Sequence, residues 1–118
     1  MFRGRVPFAL HAALELITAV ALLALPFAIG LSADATITAA VIGIALFGLA
    51  ISATDSDGRG TLPISAHATY DAAIALVLVG AAVVFGVIGE MPALVLLLSA
   101  GIAQIVLNGL TRYAPSHA

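Results

Sequence analysis

The chain has 118 residues, of which 63% are hydrophobic and 8% charged, and its mean hydropathy is +1.22. Soluble domains carry about 25% charged residues. A soluble domain of this length could not hide so much apolar surface, so lipid is the natural solvent. The net charge of −2, with four arginines and no lysine, argues against a nucleic-acid partner; without cysteine there is no disulfide, thiolate metal site or thiol nucleophile.

Met1 to Val6 is a basic flank carrying Arg3 and Arg5, followed by an apolar run from Phe8 to Ile29 with Pro7 at the helix start. That run is about 22 residues long, beyond the roughly 7–15 of a secretory h-region, and it contains His11 and Glu15, so a membrane span is expected rather than a cleaved leader. Pro26 kinks or ends the first helix. Gly30 to Ala35 is a short loop in which Ser32 or Asp34 can cap the second helix, expected over 35–53, where Gly43 and Gly48 allow close packing. Thr54 to Leu62 is the most polar stretch and reads as a loop; its Asp55, Asp57 and Gly58 lack the remaining ligands of a calcium loop. Pro63 opens a third helix to about Ile88, Gly89 and Glu90 make a turn, and Pro92 opens a fourth to about Thr111. The tail from Arg112 is expected to fray, with Tyr113 and His117 at the interface rather than in a site.

Four spans place Arg3, Arg5, Arg59 and Arg112 on one side, and the opposite loops hold only Asp34 and Glu90. The positive-inside rule then puts both termini in the cytoplasm of a multi-pass cell-membrane protein.

The two halves align at offsets of 56 to 58: His11 and Glu15 with His67 and Asp71, Gly30 with Gly86, Asp34 with Glu90, and Gly43-Ile44-Ala45 with Gly101-Ile102-Ala103. The expected architecture is all-α: four transmembrane helices as two tandem helical-hairpin repeats, 7–54 and 63–112, in a single domain. Such repeats enter the membrane in the same direction and are related by an axis along its normal. These features resemble the SPW-repeat family of small bacterial inner-membrane proteins, which have two hairpin repeats, an early histidine followed by an acidic residue, and a Pro-aromatic motif near the end of the first helix. Ala24-Leu25-Pro26-Phe27-Ala28-Ile29-Gly30 occupies that motif position. Leu25 replaces the family's serine, Phe27 its tryptophan, and Ala81-Ala82-Val83 in the second half has no proline. The resemblance implies fold and topology and carries no activity. Length, helix number and the acidic residue Glu15 in the first helix are also similar to small multidrug-resistance transporters, as is the ending from Glu90 and Pro92 through Asn108, Arg112 and His117. Asp71 duplicates Glu15, however, and the tryptophan of that family's substrate cage is missing.

In a helix, residues four apart share a face, so each His-carboxylate pair is one polar spot near the start of an apolar helix. At 1.5 Å per residue Glu15 lies about 10 Å deep, Asp71 about 12 Å and Gln104 about 10 Å. His11, Glu15, His67, Tyr70, Asp71, Gln104 and Asn108 are therefore expected in one inward-facing layer. Helix 2 offers only Leu46 and Ala50 at the matching positions, which weights the layer toward helices 1, 3 and 4.

The first reading of that layer is a hydrogen-bond network that fixes helix register in a structural or accessory membrane protein. A second is a proton-coupled small transporter or channel using Glu15 and Asp71, a reading sunk by unchanged liposome flux in Glu15→Gln with Asp71→Asn. A third is metal binding by His11, Glu15, His67 and Asp71, or haem binding through His11 and His67. No bound cofactor is required by the sequence. Nothing points to an enzyme, since there is no phosphate loop and no nucleophile elbow. The partner is the bilayer, and Ala/Gly-rich faces leave room for a second copy or a larger membrane protein.

Overall fold

The computed structural model describes residues 4–53 and 62–113. Arg3, the loop residues Thr54–Thr61 with Asp55, Asp57 and Arg59, and the tail residue His117 lie outside the described residues. Among the described residues four α-helices follow one another: α1 (Phe8–Ala28), α2 (Ala33–Ile51), α3 (Ile64–Val87) and α4 (Met91–Leu110). All four are long and apolar enough to cross a membrane. At 1.5 Å per residue they extend roughly 29–36 Å, matching a hydrocarbon core of about 30 Å. Ile17, Ile37, Ile44, Leu76, Val87 and Val95 are more than half exposed, as expected of side chains that meet acyl chains rather than water.

Helix ends fall where backbone chemistry puts them. Pro7 and Pro63 precede α1 and α3 as extended N-caps, and Pro92 sits in the first turn of α4, where a missing N–H costs nothing. Pro26 stays inside α1 and is buried. The helix continues past it: Gly30, with φ +68°, turns the chain so that the Leu31 N–H reaches the Pro26 carbonyl at 2.9 Å. Gly89, with φ +89°, does the same after α3, with Glu90 N–H bonded to Phe85 O at 2.8 Å. Of the two capping candidates for α2, Ser32 is the one used; its hydroxyl accepts from Ala35 N–H at 3.1 Å.

Each helix is packed most closely against its hairpin partner, α1 on α2 and α3 on α4, with sparser packing between the hairpins. Gly43 permits the first approach: a Cβ there would lie 3.2 Å from the Ala19 carbonyl oxygen and from Leu22 Cβ. Gly101 permits the second, where a Cβ would lie 2.9 Å from Val79 Cγ2. The buried seam of α1 runs His11, Glu15, Ala19, Leu22, Pro26 and that of α3 His67, Asp71, Ala75, Leu78, Ala82. Their steps of three and four residues are those of left-handed helix packing. The apolar core thus fills one end of the bundle and leaves the other to the histidines and carboxylates.

The chain closes both ends. At the end opposite the polar groups, Ser32 donates its backbone N–H (3.1 Å) and hydroxyl (2.7 Å) to the Glu90 carboxylate, tying the two hairpin turns together. At the polar end, the segments flanking the bundle pair as a short parallel bridge. Val6 N–H reaches Leu110 O and Arg112 N–H reaches Val6 O, both at 2.9 Å, and the Arg112 guanidinium donates to Gly4 O at 3.1 Å.

Candidate functional site: a buried histidine-carboxylate centre

His11 and Glu15 lie one turn apart on the seam of α1, and His67 and Asp71 occupy the same places on α3. Side-chain direction in a helix carries all four toward the bundle axis, where each is 0% exposed. One ligand-capable atom from each lies within 4.8 Å of the others. His67 Nε2 is 2.9 Å from Glu15 Oε1 and 3.5 Å from Asp71 Oδ1. His11 Nε2 is 3.2 Å from Glu15 Oε2 and 2.8 Å from Asp71 Oδ2. Nitrogens and carboxylates therefore alternate around a small ring, each carboxylate giving one oxygen to each imidazole.

An outer partner places the proton on one nitrogen of His11. Thr111 Oγ1 lies 2.6 Å from His11 Nδ1 and donates its only proton to Leu107 O at 2.5 Å. Nδ1 must then be the donor toward Thr111, and in the neutral ring Nε2 carries the lone pair. Neither carboxylate oxygen is aligned for a hydrogen bond with this Nε2, short as the distances are. At His67 the arrangement is reversed: Nε2–H donates to Glu15 Oε1, and Nδ1 has no partner among the described residues.

Helix α4 completes the layer from one side. Gln104 Nε2 donates to Glu15 Oε2 at 2.8 Å and Asn108 Oδ1 at 3.1 Å, with Asp71 Oδ1 at 3.4 Å. Tyr113 O–H donates to Asp71 Oδ2 at 2.6 Å, with Asn108 Oδ1 at 3.0 Å. Burial and the adjacent Asp71 carboxylate push the Tyr113 phenol up, so it remains a donor. Phe8 seals the rest, stacking on His11 (centroids 5.8 Å apart) and meeting His67 edge-on at 4.8 Å.

Of the seven residues expected in the layer, His11, Glu15, His67, Asp71, Gln104 and Asn108 come together. Tyr70 does not. It is 55% exposed and lines an apolar surface groove between α2 and α3 with Val41, Ala45 and Ala73, because a residue next to Asp71 in sequence lies about 100° away around the helix. Tyr113, expected in a frayed tail, takes the place assigned to Tyr70, since the Val6–Thr111 bridge folds its segment over the centre. Phe8 and Thr111 also went unassigned to the layer. Both lie on faces already marked, Phe8 three residues before His11 and Thr111 three after Asn108. No periodicity points to Tyr113, which lies beyond the last helix.

The chemistry of the centre follows from its charges. Two carboxylates with oxygens within 4.8 Å of each other repel by about 3 kcal/mol or more at an effective dielectric of 20. His67 and Gln104 donate protons to Glu15, and Tyr113 does so to Asp71. The His11 Nε2 lone pair offsets nothing, so the geometry calls for a positive centre between His11, Glu15 and Asp71, either a shared proton or a cation. A porphyrin does not fit: the imidazole centroids are 5.6 Å apart, the rings are inclined at 71°, and the carboxylates are wedged between their nitrogens. Comparison with family models, curated proteins and solved structures gave no match.

Proposed function

We propose that this protein is a small, non-catalytic structural or accessory component of a cell membrane, in which the buried polar centre clasps two hairpins together. One observation carries the reading. Within each hairpin the helices are held by close apolar packing, whereas the short polar contacts His67–Glu15, His11–Asp71 and Gln104–Glu15 all run from one hairpin to the other. Interhelical polar bonds in lipid contribute about 0.6–2 kcal/mol each, and because they join groups at matching depths on different helices they also fix register.

The hairpins are, in this reading, copies of one ancestral unit of the SPW-repeat kind. Recurrence of the buried positions supports it: Ala19 and Leu22 answer to Ala75 and Leu78 at an offset of 56, and Ala35 and Gly43 to Ala93 and Gly101 at 58. Both termini face the cytoplasm, a choice supported by the arginine distribution.

A double-mutant cycle tests the clasp. Glu15→Gln and His67→Gln are made singly and together, and unfolding is followed in detergent. A coupling energy of about 0.6–2 kcal/mol is expected. Additive effects would show that the pair does not join the hairpins.

A further inference from the structure

We propose that His11, Glu15, His67 and Asp71 form a binding site for one divalent first-row transition-metal ion, with Zn²⁺ as the four-coordinate fit. The proposal goes beyond the clasp, which stands whether hydrogen bonds alone or a metal ion join the hairpins.

The donor set is the first argument. Two imidazole nitrogens and two carboxylates suit Zn²⁺ and its neighbours, which accept mixed nitrogen and oxygen ligands. Zinc-ligand bonds of about 2.0–2.1 Å give a tetrahedron with edges of roughly 3.4 Å. The four nitrogen-oxygen separations around the ring, 2.8, 2.9, 3.2 and 3.5 Å, bracket that edge. Ligation by His67 Nε2 requires its proton to move to Nδ1, which has no partner among the described residues and is open to carry it.

An independent sign comes from His11. Its Nε2 is fully buried, has no aligned hydrogen-bond partner and faces the gap between two carboxylates. A bare lone pair held there is the state in which imidazole ligates a metal. Thr111 leaves Nε2 as the ligating nitrogen by accepting from Nδ1–H while anchored on Leu107 O, the outer-shell arrangement that orients metal-binding histidines. Gln104 and Tyr113 orient the carboxylates likewise, through Glu15 Oε2 and Asp71 Oδ2. A dication would neutralise both carboxylates and give Nε2 its missing partner.

The full chain is purified in detergent, freed of any affinity tag, stripped with a chelator and titrated with Co²⁺, which reports its coordination by visible d–d absorption. The expected result is one Co²⁺ per chain with an intense four-coordinate band, displaced by stoichiometric Zn²⁺. Glu15→Gln and His11→Gln should abolish the band, and Thr111→Val should weaken affinity about 10–100-fold. Tyr70→Phe, on the exposed face of α3, should leave it unchanged. If the ligand variants do not fold, proton NMR of the Co²⁺-loaded native chain decides, with hyperfine-shifted N–H signals expected from two imidazoles. Absence of stoichiometric binding by the native chain overturns the proposal, as does a band that survives in the His11 and Glu15 variants, or a spectrum with fewer than two shifted imidazoles. None of these outcomes touches the clasp, which the coupling energy measures in metal-free protein.

Discussion

The orientation of His11 depends on a hydroxyl 100 residues away, that of Thr111. A histidine and a carboxylate four apart are easy to see in the sequence, and the depth of Glu15, Asp71 and Gln104 follows from counting residues. Which nitrogen carries a proton was not legible, because it is set by groups that only the tertiary fold brings near. Tyr70 and Tyr113 show the same limit from opposite sides: adjacency to Asp71 in sequence misplaced one, and a bridge between distant segments recruited the other. The glycines allow a sharper expectation. Gly101→Ala would press a methyl against Val79 and the α3 backbone, with an expected loss of about 1–3 kcal/mol. Gly48→Ala meets nothing within 4 Å and should be neutral or stabilising by up to about 1 kcal/mol. Thermal unfolding of the two variants in the same detergent checks both, and equal melting temperatures would contradict the close approach of α3 and α4.

At the scale of the helix, the apolar runs, prolines and turn glycines set all four elements to within about two residues, since length and hydrophobicity suffice to recognise a span. What the sequence left open was how a helix end is tied. Ser32 caps α2 and also binds Glu90 of the other hairpin turn, so its hydroxyl serves two elements. Ser32→Ala should cost about 1 kcal/mol from the cap, while Glu90→Gln, which retains an accepting oxygen, should cost less. Hydrogen exchange at Ala35 N–H distinguishes them, accelerating in Ser32→Ala and nearly unchanged in Glu90→Gln. Equal acceleration in both would mean that the turn contact, rather than the cap, holds the start of α2.

For the whole molecule, hydropathy gave the span count, and the burial of the seams accounts for it. Each helix turns one narrow face inward and the rest toward lipid. Orientation rests on charge alone, which makes it directly testable in a chain with no native thiol. A membrane-impermeant thiol reagent applied to intact cells should label Asp34→Cys and leave a cysteine appended to the N-terminus unlabelled until the cells are opened. The opposite pattern would reverse the assignment.

The short bridge between Val6 and Thr111 has a consequence for biosynthesis. The centre draws His11 from α1, but Thr111 and Tyr113 follow α4, so during translation the histidine waits in the bilayer without its hydroxyl neighbour. Assembly of the polar layer is therefore a late event, after α4 has left the insertion machinery, and a chain halted before that point would hold Glu15 and Asp71 without the donors of Gln104 and Tyr113.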